Sequence, residues 1–597
     1  MDGHYSQILI DSHPVFSALN GVYGLEQIPS DMIDRVEVMR GGGSALFGSS
    51  AIGGTINIIT KEPSRNSAQF GHSLMSIGGS NAFDNVTDVS ASILSDNHKA
   101  GLYFYGQNRY RKGYDHDGDG YTELPMLRTK ALGMSSYLKT GIYSKLNFQY
   151  RSINDYRRGG NKLNLPPDEA NIAEGAEHNI NGGSISFDLY SPNSDNHFNV
   201  FTSFQNTARK SYYGGIGDGS EESIVAAEKA YGRTHDLTSV SGAQYLWCFP
   251  KLLFMPSELT VGAEYNYDAL HDESIGYQTE LHQKVHIESC YLQNEWKNSQ
   301  WSFLLGGRLD KHNLIDHAIF SPRINLRFNP TKQVNLRLSY SGGFRAPQTY
   351  DEDLHVSMVG GERVKIRLAD NLKEESSHSL SLSSDLYHTF GKVPVNLLIE
   401  GFYTQLNNVF ALQRLNETDD QGNTILQRYN ASGAKVMGIN VESKMVLSSL
   451  FNLQAGVTLQ QSKYKKAEKW DDDAPAEKKM LRTPDFYGYL MATVNPIKRF
   501  STSFSGTYTG SMLVGHSAGS GVDTPIAVNT PHFFDLGVKF SYDLPLFDAF
   551  KMKLYAGIKN IFEAYQSDFD KGYNRDSGYI YGPSLPRSYY IGAKMMF

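Results

Sequence analysis

The feature that most constrains this chain is a glycine-crowded loop between two short runs of β-forming residues. Residues 33–39 (IDRVEVM) alternate polar and apolar side chains, and residues 54–60 (GTINIIT) do much the same. Alternation at every second residue predicts a half-buried strand. Glycines, which permit backbone angles that strain other residues, stand at positions 41, 42, 43, 48, 53 and 54. The stretch therefore predicts two strands joined by an irregular glycine loop.

Two kinds of nucleotide-binding loop are also rich in glycine, and neither fits this stretch. A phosphate-binding loop needs a lysine after its second glycine to contact the phosphates, and Ser49 stands there instead. A dinucleotide-binding motif needs a helix after its glycines, whereas a strand is predicted here. The sequence therefore argues against nucleotide binding.

The same stretch resembles the plug domain of the TonB-dependent outer-membrane receptors. The matching words, in order, are IDRVEV (33–38), RG (40–41), SALFG (44–48) and IGGTINIIT (52–60). The resemblance implies an all-β transmembrane protein, a 22-stranded antiparallel barrel with an amino-terminal plug inside. We expect residues 1–63 to be the carboxy-terminal part of the plug and residues 64–597 to be the barrel.

This resemblance also implies a function and a location. Members of the family import a scarce ligand that is too large for porins, and they make or break no bond, so no catalytic residues are expected. The TonB–ExbB–ExbD complex of the inner membrane pulls on the plug to open a path. The expected location is the outer membrane of a Gram-negative bacterium, with the lipid bilayer around the barrel.

The first residues depart from the family pattern. Met1-Asp2-Gly3-His4 has no charged start, no apolar region and no cleavage site, so it is not a signal peptide. Because an outer-membrane protein requires a signal peptide, we expect the chain to be amino-terminally truncated, or its start to have been assigned too late, and its plug to be incomplete. A passive pore or adhesion barrel without energy coupling is therefore an alternative function.

The composition fits many half-apolar strands. Hydrophobic residues make up only 40% of the 597 residues, yet there are 37 Tyr and 31 Phe, as in barrel strands whose ends carry aromatic belts. No run of about 18 apolar residues occurs, so we expect no membrane-spanning helix. The net charge of -7 argues against nucleic acid as a partner.

Alternating segments recur to the end of the chain. The apolar residues at 324, 326 and 328 alternate with Arg323, Asn325 and Arg327, and 334–340 repeats the pattern around Arg337. In a barrel the apolar face meets lipid, so these arginines are expected to point inward. The last segment has apolar or aromatic residues at every second position up to Phe597, which resembles the assembly signal of outer-membrane barrels. Further strands are predicted at 395–403, 441–447, 451–459 and 553–558.

An acidic loop, DHDGDGYTE, is a candidate calcium site. Its carboxylates are Asp115, Asp117, Asp119 and Glu123, and Gly120 allows a sharp turn between them. Ca²⁺ takes several oxygen ligands at about 2.4 Å, and this spacing can bring such oxygens together. Met126 stands where an EF-hand has glutamate. The alternatives are a loop Ca²⁺ site and a solvated acidic turn.

A second group of residues resembles the haem receptors of the same superfamily. Phe344-Arg345-Ala346-Pro347 matches their first motif, whereas Ala369-Asp370-Asn371-Leu372 lacks the proline of the second. His355 lies between them and is a candidate ligand contact, together with Arg345, because imidazole binds iron and cobalt. The resemblance thus favours a metal-tetrapyrrole, cobalamin or haem, as the transported ligand. The alternatives are an ordinary loop histidine and a ferric siderophore, and a surface lipoprotein could assist capture.

Four plug residues are further candidates. Plug apices touch ligand in the family, so His4 and His13 are candidate ligand contacts, the alternative being surface histidines near the start of the chain. Glu37 and Arg40 are expected to hold the plug to the barrel through charged pairs, which have to be fully satisfied because a half-satisfied pair destabilises the protein.

Two remaining motifs carry little functional information. Residues 515–519 match the G-x-S-x-G motif of esterases around Ser517, but that motif needs a helix after the serine and a flexible loop is predicted here. An esterase is therefore the enzyme-class alternative, and no enzyme is expected. Cys248 and Cys290 could form one disulfide in an oxidising periplasm, or remain two isolated apolar side chains.

Overall fold

The computed structural model describes most of the chain. The described residues are 5–14, 28–41, 43–44, 48–49, 51–274, 276, 279–347, 364–418, 424–448, 450–471, 473–519, 521–547 and 550–597. Among them, no helix has both the length and the apolar character that a membrane crossing requires.

Four strands near the start of the chain form a small sheet, which we call the plug sheet. They are β1 (Ser6–Ile10), β2 (His13–Pro14), β3 (Ile33–Arg40) and β4 (Gly54–Thr60), in the order β2-β1-β4-β3. The central strand β4 is mostly buried and pairs parallel with β1 and antiparallel with β3. Gly54 has φ +148°, and a Cβ there would lie 2.4 Å from the Met39 carbonyl oxygen. Only glycine therefore allows β3 and β4 to approach this closely.

The following strands build the rest of the molecule. In chain order they are β5 (Ser67–Ile77), β6 (Ala82–Leu94), β7 (Ala100–Arg111), β8 (Thr122–Leu138), β9 (Ser144–Gly160), β10 (Ala173–Tyr190), β11 (Asn196–Gly214), β12 (Tyr231–Leu252), β13 (Met255–Ser274), β14 (Thr279–Lys297), β15 (Trp301–His312), β16 (Ile319–Thr331), β17 (Val334–Arg345), β18 (Val364–Leu368), β19 (Glu375–Phe390), β20 (Val393–Asn407), β21 (Phe410–Thr418), β22 (Thr424–Asn430), β23 (Ala434–Ser448), β24 (Phe451–Glu468), β25 (Glu477–Lys479), β26 (Phe486–Ile497), β27 (Phe500–Thr509), β28 (Leu513–His516), β29 (Ile526–Asn529), β30 (Phe533–Phe547), β31 (Phe550–Lys559) and β32 (Ser588–Met596).

Most of these strands close into one antiparallel barrel of 22 strands, which confirms the predicted fold. The circle closes where β32 pairs with β5 and the Phe597 N–H donates to the Ala68 carbonyl at 2.8 Å. The short strand β25 lies beside β24, while β18, β22 and β21 form one small sheet and β28 and β29 form another. The connection between β11 and β12 carries the helix α1 (Glu221–Lys229).

The longest connections between barrel strands leave from the same end of the barrel, so the barrel has two unlike ends. Turns such as 253–254, 332–333 and 498–499 define what we call the short-turn rim. Connections such as 510–532 and 560–587 define the long-loop rim. β12, β13 and β14 have 22, 20 and 19 residues, and about 10 suffice to cross a bilayer. Long strands therefore extend the wall beyond the hydrocarbon region.

The two faces of the wall differ as expected for a barrel in lipid. Arg323 and Arg337 line a lumen cavity of about 440 Å³, and Arg327 lies opposite Arg337 in the strand register, so the predicted inward orientation is confirmed. Exposed aromatic side chains ring the short-turn rim, as barrel girdles do. They are Tyr143, Tyr190, Trp247, Phe254, Trp301, Tyr387, Phe390, Phe547, Phe550 and Phe597. Cys248 and Cys290 are free.

Apolar packing concentrates where the plug sheet meets the wall. Ile10, Met32 and Ile58 pack against Tyr103 and Tyr105 of β7. The Tyr103 hydroxyl also donates to the Asp31 carbonyl at 2.6 Å. These contacts bury one face of the plug sheet against the barrel, and thereby fix its position in the lumen.

Candidate functional site

The plug meets the barrel beneath the long-loop rim at Tyr5, which immediately precedes β1. Tyr5 is 3% exposed and belongs to a cluster with Ile52 of the plug and Leu406 and Val436 of the barrel. Its hydroxyl donates to Glu375 Oε1 at 3.4 Å. Burial, with a smaller contribution from Glu375, raises the pKa of Tyr5 well above its ordinary value, so the phenol stays protonated.

Arg345, a candidate ligand contact, lies in this same plug–barrel contact. It is 8% exposed, and its Nε lies 3.5 Å from Glu375 Oε2. The guanidinium lies 5.7 Å from the centre of the Tyr5 ring and 5.2 Å from that of Phe410, distances at which cation–π attraction contributes. Glu375 also accepts the Phe410 backbone N–H. Arg345 thus connects the plug, the wall and the connection after β20, and presents little surface to a ligand.

The histidine candidates fall elsewhere. The ring of His13 stacks on Phe201 with centroids 3.9 Å apart, near the start of β11 and therefore towards the short-turn rim. Burial lowers the pKa of His13 to about 4, so its imidazole is neutral at physiological pH. This position is at the opposite end of the plug from the long-loop rim, where a ligand contact was expected. His4 and His355 lie outside the described residues.

Arg40, at the end of β3, bridges the plug to two barrel strands. Its Nη1 lies 3.4 Å from Glu400 Oε2 of β20, and its Nη2 donates to Glu442 of β23. Barrel side chains hold both carboxylates in place, since Asn440 donates to Glu400 at 2.9 Å and Tyr489 donates to Glu442 at 3.1 Å. The Arg40 side chain is 47% exposed to the lumen, so water screens these two pairs.

Glu37 does not take part in this bridge. Its Oε1 accepts from Arg35 Nε at 2.8 Å and its Oε2 from Asn57 at 3.5 Å, and both partners belong to the plug sheet. Successive side chains of a strand point to opposite faces, so residues three apart, such as Glu37 and Arg40, cannot share one. The expectation of a plug–barrel pair therefore fits the geometry of Arg40 and not that of Glu37.

A further plug–barrel contact joins Gly48 to Arg308 of β15. Arg308 is fully buried, with its Nη1 2.7 Å from Glu264 Oε2 and its Nε 2.8 Å from Asp310 Oδ1. Gly48 has φ +80°, and a Cβ there would lie 3.1 Å from Arg308 Nη2. The sequence identifies the SALFG motif that contains Gly48. It does not identify the barrel partner of Gly48, because no local pattern around Arg308 indicates a contact with the plug.

The acidic loop brings three of its four candidate ligands together. Carboxylate oxygens of Asp115, Asp117 and Glu123 lie within 4.8 Å of one another, an arrangement that suits a hard cation. Asp119 turns to Arg575 of the 560–587 connection, whose Nη2 lies 2.7 Å away. Loop 115–123 is therefore only partly arranged as a cation site.

Basic residues of the 560–587 connection form ion pairs with this acidic loop. Arg575 also pairs with Glu123 at 3.0 Å, and Lys571 lies 3.4 Å from Asp117 Oδ2. Although burial opposes it, hydrogen bonds from the Gly572 and Tyr121 amides, together with Arg575, hold the pKa of Asp119 below its ordinary value. The acidic loop is thus anchored through its charges.

The same long connection also holds the 510–532 loop. His516 pairs with Asp570 at 3.0 Å and stacks on Tyr579 with ring centroids 3.9 Å apart. The Ser517 N–H donates to Asp576 at 2.8 Å, and β28 before it pairs with β29 as a hairpin instead of leading into a helix. Ser517 therefore lies in a loop–loop contact and lacks the geometry of an esterase nucleophile.

Comparison with known proteins identifies both parts of the molecule. Residues 78–561 match the family model described as TonB dependent receptor-like, beta-barrel. Residues 1–55 match the TonB-dependent receptor plug domain. Proteins of this family and fold are transporters and receptors rather than enzymes.

Curated relatives with similar sequences include a virulence protein and a vitamin transporter. The iron-regulated outer membrane virulence protein of Vibrio cholerae is 25% identical over 402 residues, which cover 64% of this chain and 56% of the relative. The vitamin B12 transporter BtuB of Photobacterium profundum is 21% identical over 458 residues, covering 74% of this chain and 65% of the relative. The aligned part is therefore less than two thirds of either relative.

Solved structures share the fold over the whole chain. The siderophore receptor PirA from Acinetobacter baumannii superposes with a TM-score of 0.78 at 16% identity, covering 100% of this chain and 91% of that structure. PirA from Pseudomonas aeruginosa superposes with a TM-score of 0.72 at 18% identity, covering 100% of this chain and 92% of that structure. At such identities the likeness concerns the fold alone. The family model that spans most of the barrel places this chain in the TonB-dependent receptor family of Gram-negative outer-membrane proteins.

Proposed function

We propose that this protein imports a metal chelate that is too large for a porin, by energy-coupled displacement of its plug. The observation that carries the proposal is a closed barrel whose lumen holds a separate sheet, attached largely by side-chain contacts. Of these, the Arg40 bridge is open to water and therefore weak, so it can be broken and remade. A plug held in this way can act as a gate.

The proposed energy source is the TonB–ExbB–ExbD complex, which the family resemblance implies. The long-loop rim would face the outside of the cell and the short-turn rim the periplasm, as in outer-membrane barrels generally. Force applied from the periplasmic side would then act on the plug at the end where β2 and His13 lie. A surface lipoprotein is not needed for this proposal.

A metal-tetrapyrrole is the first proposed ligand class. It is supported by the Phe344-Arg345-Ala346-Pro347 motif and by similarity to a vitamin B12 transporter. In this proposal Arg345 acts indirectly, because it positions Tyr5 and Glu375 beneath the binding surface. A ferric siderophore is the second candidate, supported by the iron-regulated relative and by the siderophore receptors that share the fold.

Titration of the purified protein in detergent separates these candidates. We expect haemin or cyanocobalamin to give a saturable absorbance change at one equivalent, because an imported ligand must first bind the outer surface. Empty micelles are the control, since haemin partitions into detergent. Saturable quenching of tryptophan fluorescence by a ferric catecholate, without an absorbance change from a tetrapyrrole, would support a ferric siderophore as the ligand instead. If neither class binds, the import proposal is wrong.

We further propose that Asp115, Asp117 and Glu123 bind Ca²⁺. Extracellular sites of this kind have dissociation constants of about 10⁻⁴ to 10⁻³ M, so about 1 mM Ca²⁺ should stabilise the protein by about 1 kcal/mol. We expect Ca²⁺ to raise the melting temperature and Asp117→Asn to abolish that rise. Asp119→Asn is the matched control, because Asp119 faces Arg575 and should affect the baseline but not the response. A melting temperature that neither Ca²⁺ nor a chelator changes would contradict the proposal.

A further inference from the structure

A cluster of metal-binding side chains lies on the outer surface of the hairpin formed by β13 and β14. It consists of His271 of β13 and Glu280 and His282 of β14, whose ligand atoms all lie within 4.8 Å of one another. His271 and His282 are direct partners in the strand register, so they project from the same face. The cluster is distinct from the acidic loop and from the plug contacts.

The three side chains already converge on one point. His271 Nε2 lies 2.6 Å and His282 Nε2 lies 3.1 Å from the same Glu280 oxygen, Oε1. The two imidazoles stack with centroids 4.2 Å apart and planes 7° apart. Tetrahedral zinc with ligands at about 2.0–2.1 Å requires ligand atoms about 3.3 Å apart. Small rotations of these exposed side chains would therefore admit an ion.

The cluster lies above the bilayer and outside the barrel. Tyr265, exposed on β13, pairs with Glu288 of β14, where the outer face of the hairpin becomes polar. His271 is six residues further along the strand, or about 20 Å towards the long-loop rim. An ion bound here would be in contact with the medium and away from the lumen through which a ligand would pass.

Neighbouring residues extend the potential site. His235 of β12 pairs with His271, and Glu273 pairs with Glu280, and all four positions share the outward face by register. His235 is exposed on this face. Glu273 or water can supply the fourth ligand that a tetrahedral ion needs beyond two imidazoles and one carboxylate.

We propose that His271, Glu280 and His282 bind Zn²⁺ or a similar first-row transition-metal dication. Imidazole nitrogens favour zinc, copper and nickel, whereas calcium and magnesium prefer sites made only of oxygen. Since the ligands come from both strands of one hairpin, the bound ion cross-links β13 to β14 beyond the bilayer. The site would thus stabilise the part of the wall that lipid does not support.

The test is titration of the purified full chain in detergent with Zn²⁺ alone, followed by calorimetry. We expect one equivalent of Zn²⁺ to bind at about pH 7.5, and binding to weaken as the pH falls, because a metal competes with protons for its ligands. His282→Ala and Glu280→Gln should each weaken binding by at least about tenfold, since even the outer partners of metal ligands contribute 10- to 100-fold. Cobalt(II) in place of zinc should show the visible absorption of a four-coordinate ion.

The matched control is His286→Ala. His286 is exposed on the same strand, and at four residues from His282 it shares the same outward face but contributes no atom to the cluster. Its replacement should leave zinc affinity unchanged, and replacing Cys290, also exposed on β14, by serine should do the same. The proposal would be overturned if His286→Ala weakened zinc binding as much as His282→Ala does. It would also be overturned if the unaltered chain showed no saturable zinc binding.

Discussion

Replacement of Arg308 by alanine is expected to lower the free energy of unfolding by about 3–5 kcal/mol, because it leaves buried carboxylates without their counter-ion. The Asp310 side chain is 0% exposed and that of Glu264 12% exposed, so water cannot take over the role of the guanidinium. The loss also removes the surface on which Gly48 of the plug rests. Urea unfolding in detergent, followed by tryptophan fluorescence, measures the change.

The control for this prediction is an arginine on the outer wall. Arg128 is exposed and lies 5.6 Å from the centre of the Tyr110 ring, so Arg128→Ala should cost no more than about 1 kcal/mol. A loss of similar size in both variants would mean that the buried ion cluster contributes no more than an ordinary surface contact. Arg308→Lys should lie between the two, since lysine keeps the charge but not the planar fork.

Reversing the charge of Arg40 is expected to open the lumen. Arg40→Glu would place a third carboxylate beside Glu400 and Glu442, which barrel side chains hold in place. Because the position is half exposed, we expect a cost of about 1–2 kcal/mol, which raises the population with a displaced plug by about 5- to 30-fold. Ion conductance across planar bilayers measures that population directly.

A charge swap and a neighbouring arginine make this test specific. Combining Arg40→Glu with Glu442→Arg restores an attractive pair and should return the conductance towards that of the unaltered protein. Arg35→Glu, in the same strand, removes only pairs with Asp34 and Glu37 inside the plug and should leave the barrel closed. Equal conductance in the two single variants would contradict a specific link between Arg40 and the barrel.

Local patterns in the sequence predicted the plug strands closely and the barrel strands only in part. The predicted segments 33–39 and 54–60 became Ile33–Arg40 and Gly54–Thr60. By contrast, the predicted segment 395–403 is only the middle of β20, which runs to Asn407. Thr404, Gln405 and Asn407 continue the strand with polar side chains on both faces. Alternation disappears where neither face meets lipid, so the pattern cannot mark the true strand end.

The contacts of the candidate site were largely beyond local inference. Asp119 and Arg575 are 456 positions apart, and closure of the barrel brings them together. Tyr5 and Glu375 are 370 positions apart, and only the position of the plug inside the barrel brings them together. The acidic loop was visible from its own spacing, but its basic partners were not. The sequence could have predicted that Glu37 and Arg40 point to different faces of β3, because two positions three apart in a strand face opposite ways.

The pairing of β32 with β5 has a consequence for biosynthesis. The first wall strand is translated hundreds of residues before the last, and its outer edge has no partner until β32 arrives. An unclosed wall in lipid would leave backbone N–H and C=O groups that hydrocarbon cannot satisfy. Insertion of the barrel into the membrane therefore depends on the nine residues of β32. A premature stop codon anywhere before them should behave genetically as a complete null, with the aborted polypeptide left to periplasmic proteases.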